Sequence, residues 1–119
     1  MKRPEVTVDK ATHSTVPLRS VFQDDPDMAE LVALFASEMP ARVQSMRTAL
    51  ESSSWDQLKR IGHQLKGAGA GYGFDTITTE AAKLELAIKS MSAQPPEDQI
   101  LAVRGLAEDL IRLCERVRG

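Results

Sequence analysis

The stretch Trp55-Asp56-Gln57-Leu58-Lys59-Arg60-Ile61-Gly62-His63-Gln64-Leu65-Lys66-Gly67-Ala68-Gly69-Ala70-Gly71-Tyr72 carries its apolar residues in steps of three and four. Trp55, Leu58, Ile61, Leu65, Ala68 and Tyr72 therefore fall on one stripe of an α-helix. Ser52-Ser53-Ser54 just before it reads as a loop and N-cap. At about 100° per residue, His63 points roughly 170° away from the stripe, so the spacing predicts an exposed histidine. Lys66 and Gly67 follow at three and four residues, on the same side and one turn on, and Ala70 lies about two turns away.

The neighbouring segments repeat the helical period. Asp24-Asp25-Pro26-Asp27 reads as a helix start, with acids near the positive end and Pro26 in the first turn. Met28, Leu31, Phe35, Met39, Val43, Met46 and Leu50 then form the stripe of a long helix, which Pro40 is expected to kink or interrupt. A third helix is predicted from about Phe74 to Met91, with Ile77, Ala81, Leu84, Ile88 and Met91 inward. Ala93-Gln94-Pro95-Pro96 breaks the chain. The last helix is predicted from Glu97 to Val117, with Val103, Leu106, Leu110, Leu113 and Val117 inward. A short helical turn is expected at Leu18 to Phe22. The predicted fold is all-α, an antiparallel four-helix bundle over 18–119, preceded by a flexible tail over 1–17 that holds His13.

Composition agrees with a single domain. The chain has 119 residues, 42% hydrophobic and 27% charged, and few aromatics. A net charge of −2 argues against broad nucleic-acid binding, which needs a basic surface. No apolar run approaches the roughly 20 residues of a membrane span, and no apolar segment follows the N-terminus as a secretory signal would. The cytoplasm is the expected compartment and a monomer the expected state. Cys114, the single cysteine, adjoins the last stripe and reads as a buried hydrophobe.

Five of the seven glycines lie between Gly62 and Gly73, each costing a helix interior about 1 kcal/mol relative to alanine. A phosphate-cradling loop is excluded by spacing. Gly67, Gly69 and Gly71 each open a Gly-x-Gly whose sixth position is Tyr72, Phe74 or Thr76, and Gly62 to Gly67 lacks the following Lys-Ser/Thr because Ala68 comes next. The alternative is a bare helix face: small side chains at Gly67 and Ala70 let another protein approach His63. A neutral imidazole is a competent nucleophile toward phosphorus, and a lysine one turn away offsets the added negative charge. Asp56 and Asp75 read as helix-end residues, so no metal site is expected.

His63-Gln64-Leu65-Lys66-Gly67, followed by small residues and Gly73, resembles the signature of histidine-containing phosphotransfer domains. The resemblance extends over about residues 20–117. It includes a proline within the first long helix and Ala81-Ala82-Lys83-Leu84-Glu85 after the motif. Gly62 stands where alanine often precedes the histidine, and Ala68-Gly69 where Ser or Ala often follows Lys-Gly. The resemblance implies that His63 is phosphorylated, that Lys66 contacts the phosphoryl group, and that Gly67, with Gln64 and Ala70, faces the docking partner. It implies response-regulator receiver domains and a hybrid sensor histidine kinase as partners. The chain would be a phosphocarrier without an ATP site, and Mg²⁺ would be held by the receiver. A binding-only adaptor and a hydrolase are the competing readings. The hydrolase needs a carboxylate base, whereas the charged residues near His63 on its own helix are Lys59, Arg60 and Lys66.

Overall fold

A computed structural model of the chain describes residues 16–119; the rest of the expected tail, with His13, lies outside the described residues. Four helices follow one another: α1 (Ala29–Glu51), α2 (Trp55–Gly69), α3 (Asp75–Lys89) and α4 (Glu97–Arg116). Contacts along their lengths fix an antiparallel bundle. Phe35 of α1 stacks on Tyr72, just past α2, with ring centroids 4.9 Å apart, and Arg42 reaches Gln64. Gly62 lies against Ala81 and Leu84, and Gly69 against Thr78, so α2 and α3 run in opposite directions. Arg47 pairs with Glu108 and Glu115 of α4, while Ala33 lies beside Gly119, which closes the ring of four. The core holds Met39, Met46, Leu58, Leu65, Ile77, Leu84, Leu110 and Ile111, drawn from all four apolar stripes.

Several boundaries differ from the sequence reading. Residues 24–27 form a turn ahead of α1: the Asp27 N–H donates to Asp25 Oδ1 at 2.9 Å, and this local bond competes with helix. Met28 takes the N-cap position, without a capping side chain. Val32 is buried and Leu31 is exposed, so the stripe enters the core one residue later than predicted. Pro40 does not interrupt α1, which is continuous from Ala29 to Glu51. Ser54 is the N-cap residue of α2 but makes no side-chain cap bond. The second helix ends at Gly69 and tightens into a 3₁₀ turn, Ala70–Tyr72. Met91 and Val117 lie beyond α3 and α4. Cys114 is buried as expected, and burial pushes its thiol up to about 12, so it is not a thiolate at neutral pH.

The predicted helical turn at Leu18–Phe22 is instead a strap. Leu18–Arg19 (β1) pairs in parallel with Val117–Arg118 (β2), and Arg116 Nε donates to the Val16 carbonyl at 2.8 Å. Buried Ser20 then donates its hydroxyl to the Tyr72 carbonyl at 2.7 Å, and the Val21 N–H donates to the Gly73 carbonyl at 3.0 Å. The strap thus ties the N-terminal end of the described chain to the turn that ends the histidine helix. Gly73 has φ +88°, the left-handed conformation that favours glycine, and it reverses the chain between α2 and α3.

Candidate functional site

His63 sits near the middle of α2 on its outer face, its side chain 66% exposed. The period of the stripe places it there, with Ile61, Gly62 and Leu65 turned inward. One turn on, Lys66 is half-buried, and Gly67 is exposed with no atom near the position a Cβ would take. Ala70 is also exposed, but it begins the 3₁₀ turn, and its N–H donates to Thr78 Oγ1 at 2.7 Å. Gln64 is exposed and accepts from Arg42 Nη1 at 3.2 Å. Gln64 and Gly67 line a shallow groove with Met28, Leu31, Gly71 and Tyr72. The exposed Leu31, which the sequence reading put in the core, is a wall of that groove.

The residue that sequence reasoning missed is Glu85. It comes from α3, is 5% exposed, and lies beneath the histidine. Its Oε2 is 2.9 Å from His63 Nδ1, and its Oε1 is 2.7 Å from Lys66 Nζ. Lys89, one turn further along α3, brings its Nζ to 3.4 Å from Oε2. The sequence reading considered only the charged residues on the histidine's own helix; the carboxylate arrives from the next helix, 22 residues on. Gly62 faces α3 at Ala81, Leu84 and Glu85, where a Cβ would make ordinary van der Waals contacts of 3.6–3.9 Å, so alanine would fit there too.

The hydrogen bond to Lys66, followed by the one to His63 and the charges of Lys66 and Lys89, outweighs burial and holds the Glu85 carboxyl at about 2, below its usual 4.5. An ionised carboxylate only accepts hydrogen bonds, so Nδ1 must carry the proton in this pair. In the neutral ring the lone pair then resides on Nε2. Both oxygens of this buried carboxylate are already engaged by His63, Lys66 and Lys89.

A depressed carboxylate pKa gives stability that is fully present above the unfolded value and is lost as pH falls through the folded one. Glu85 is thus expected to destabilise the bundle as pH drops from 4.5 toward 2. Melting curves across this window should be flatter in pH for Glu85→Gln than for the parent; parallel curves would show that the pairing adds nothing to stability.

The site now consists of an exposed imidazole, a carboxylate fixing its tautomer, a lysine beside it and a bare helix face. A family model described as Hpt domain matches residues 30–118, which take in the four helices but for Ala29. The chain belongs to the Hpt domain family. No curated protein and no solved structure matches it. Hpt domains are the phosphotransfer domains of two-component systems, phosphocarriers that interact with receiver domains and kinases. No helix among the described residues of this Hpt domain is long and apolar enough to cross a membrane, and among the same residues no group of three His, Cys, Asp or Glu side chains is placed to hold a metal ion.

Proposed function

We propose that this Hpt domain is an intermediate in a phosphorelay, taking a phosphoryl group on His63 from one receiver aspartate and passing it to another. The observation that supports this most is the pairing of an exposed His63 with buried Glu85 through Nδ1. It leaves the Nε2 lone pair as the nucleophile. That lone pair forms the N–P bond as the bond between phosphorus and the aspartate oxygen breaks, and the receiver carboxylate leaves with the electron pair. Nδ1 keeps its proton, and the positive charge that develops on the ring faces Glu85. Donation to a second receiver reverses these steps. Mg²⁺ on the receiver would screen the transferring group. A hybrid sensor kinase is the upstream source that this reading implies.

Lys66 stands one turn from His63 and would contact the phosphoryl oxygens. Gly67, Gln64 and Ala70 would face the receiver. Gly67→Leu provides the test. Nothing lies within 4 Å of the added Cβ, so the substitution meets no clash at that atom, and the gain in helix propensity should stabilise the free domain by about 0.5–1 kcal/mol. It should nevertheless slow transfer from a phosphorylated receiver by about a hundredfold, since displacing reactants by an ångström costs that much. Parental rates in Gly67→Leu would show that the partner docks elsewhere. A His63→Gln variant that binds receivers and signals like the parent would favour an adaptor.

A further inference from the structure

Glu85 holds three cationic or hydrogen-bonding partners with two oxygens. Lys66 has Oε1 to itself at 2.7 Å, while His63 Nδ1 at 2.9 Å and Lys89 at 3.4 Å share Oε2. Lys89 is four residues beyond Glu85 on α3, with its side chain 56% exposed. It does not belong to the His-x-x-Lys-Gly segment. Lys66 poses a problem that Lys89 answers. In the unphosphorylated domain Lys66 Nζ is 2.7 Å from Glu85 Oε1, so its charge must be shared between a buried carboxylate and any phosphoryl group it meets with its other donors. A buried carboxylate stripped of its counter-charge is costly. We propose that Lys89 is a positioning residue for phosphotransfer: it keeps Glu85 paired while Lys66 turns to the phosphoryl oxygens.

The proposal rests on the phosphotransfer reading above. Charge supports it. With a neutral imidazole, one carboxylate and two ammonium groups leave the cluster with a single net positive charge. The transferred phosphoryl unit brings one net negative charge, so the phosphorylated cluster is neutral. Without Lys89 the same transfer would leave it negative beside the buried Glu85. The groups that face Glu85 are His63 and Lys66 from α2 and Lys89 from its own helix.

The experiment compares the parent with Lys89→Met and Lys89→Arg in the full chain. The first readout needs no phosphate: the ¹⁵N spectrum of the His63 ring. Removing the second donor from Oε2 should shift the Nδ1 resonance in Lys89→Met, and arginine should return it toward the parental position. The second readout is the equilibrium with a phosphorylated receiver domain. Phosphate should move about twofold toward the receiver in Lys89→Met, the effect of one unit charge about 8 Å away through water, because Lys89 approaches Glu85 on the Nδ1 side of the ring and the phosphoryl group sits on Nε2, and arginine should restore the balance. A parental ring spectrum together with a parental equilibrium in Lys89→Met overturns the proposal. A shifted ring spectrum in a chain whose parent never accepts phosphate overturns instead the reading on which it rests.

Discussion

Glu85→Ala is expected to slow phosphorylation of His63 by about 10- to 100-fold while the bundle stays folded. A group that orients a reacting residue through a hydrogen bond commonly contributes that much. Without the carboxylate, either ring nitrogen can carry the proton, and the imidazole is free to rotate about its side-chain bonds. The fold should survive because the three groups that lose their partner, His63, Lys66 and Lys89, are all solvent-accessible. Glu85→Gln should fall between parent and alanine: its amide oxygen still accepts from Nδ1, but its neutral side chain no longer pairs with two lysines. Transfer rates from a phosphorylated receiver, read beside urea midpoints, test both statements. A Glu85→Ala chain that accepts phosphate at the parental rate would mean that the carboxylate has no part in orienting His63.

The largest expected effect on stability lies away from the histidine. Gly73→Ala should lower the melting temperature by about 10 °C or more, a loss of about 2 kcal/mol or more. Two causes add. Alanine at φ +88° costs about 1–2 kcal/mol in the left-handed region. Its methyl group would also meet the Ser20 hydroxyl, and would come within 3.0 Å of the Val21 nitrogen and the Phe22 ring. The strap would have to leave the turn and break the bonds from Ser20 to Tyr72 and from Val21 to Gly73. Gly71→Ala is the control, since nothing lies within 4 Å of its added Cβ. Equal melting temperatures for Gly73→Ala and the parent would rule out a structural role for the strap at this turn.

These two sites show what the sequence conveys and where it stops. The helical period is a local property, so four stripes, the antiparallel bundle and the exposure of His63 could be read from spacing alone. Contacts between helices are not local. Glu85 lies next to Leu84 on the inward side of α3, and nothing in its own segment says that its carboxylate meets an imidazole 22 residues earlier. The only signal was a charged residue flanked by apolar positions, a pattern that predicts a buried charge in search of a partner. The glycine-rich run was legible as unusual but not in its reasons. A single explanation, a bare docking face, fits Gly67 and Gly71. Gly62 faces α3 with room for a methyl group, Gly69 lies where a Cβ would come within 2.9 Å of the Thr78 nitrogen, and Gly73 reverses the chain.

The segment Leu18–Phe22 departs from the helical turn expected of it for a related reason. Leu18–Arg19 has no strand-like alternation because two residues are too few to show one, and its partner, Val117–Arg118, sits at the other end of the sequence. The helical spacing of Leu31 from Phe35 predicts a core position for it. Val32 has the better-placed side chain, and Leu31 is left on the groove that flanks Gly67. If receivers dock there, an exposed leucine is in place to be covered.

The most direct test is to supply the ¹⁵N-labelled chain with a phosphorylated receiver domain, then locate the phosphate by mass spectrometry and ring-nitrogen NMR under conditions that preserve phosphohistidine. The account predicts one phosphoryl group, on Nε2 of His63, with Nδ1 still protonated toward Glu85 and no labelling of His63→Gln. Phosphate on Nδ1, on another residue, or on none while the receiver binds stably would contradict it.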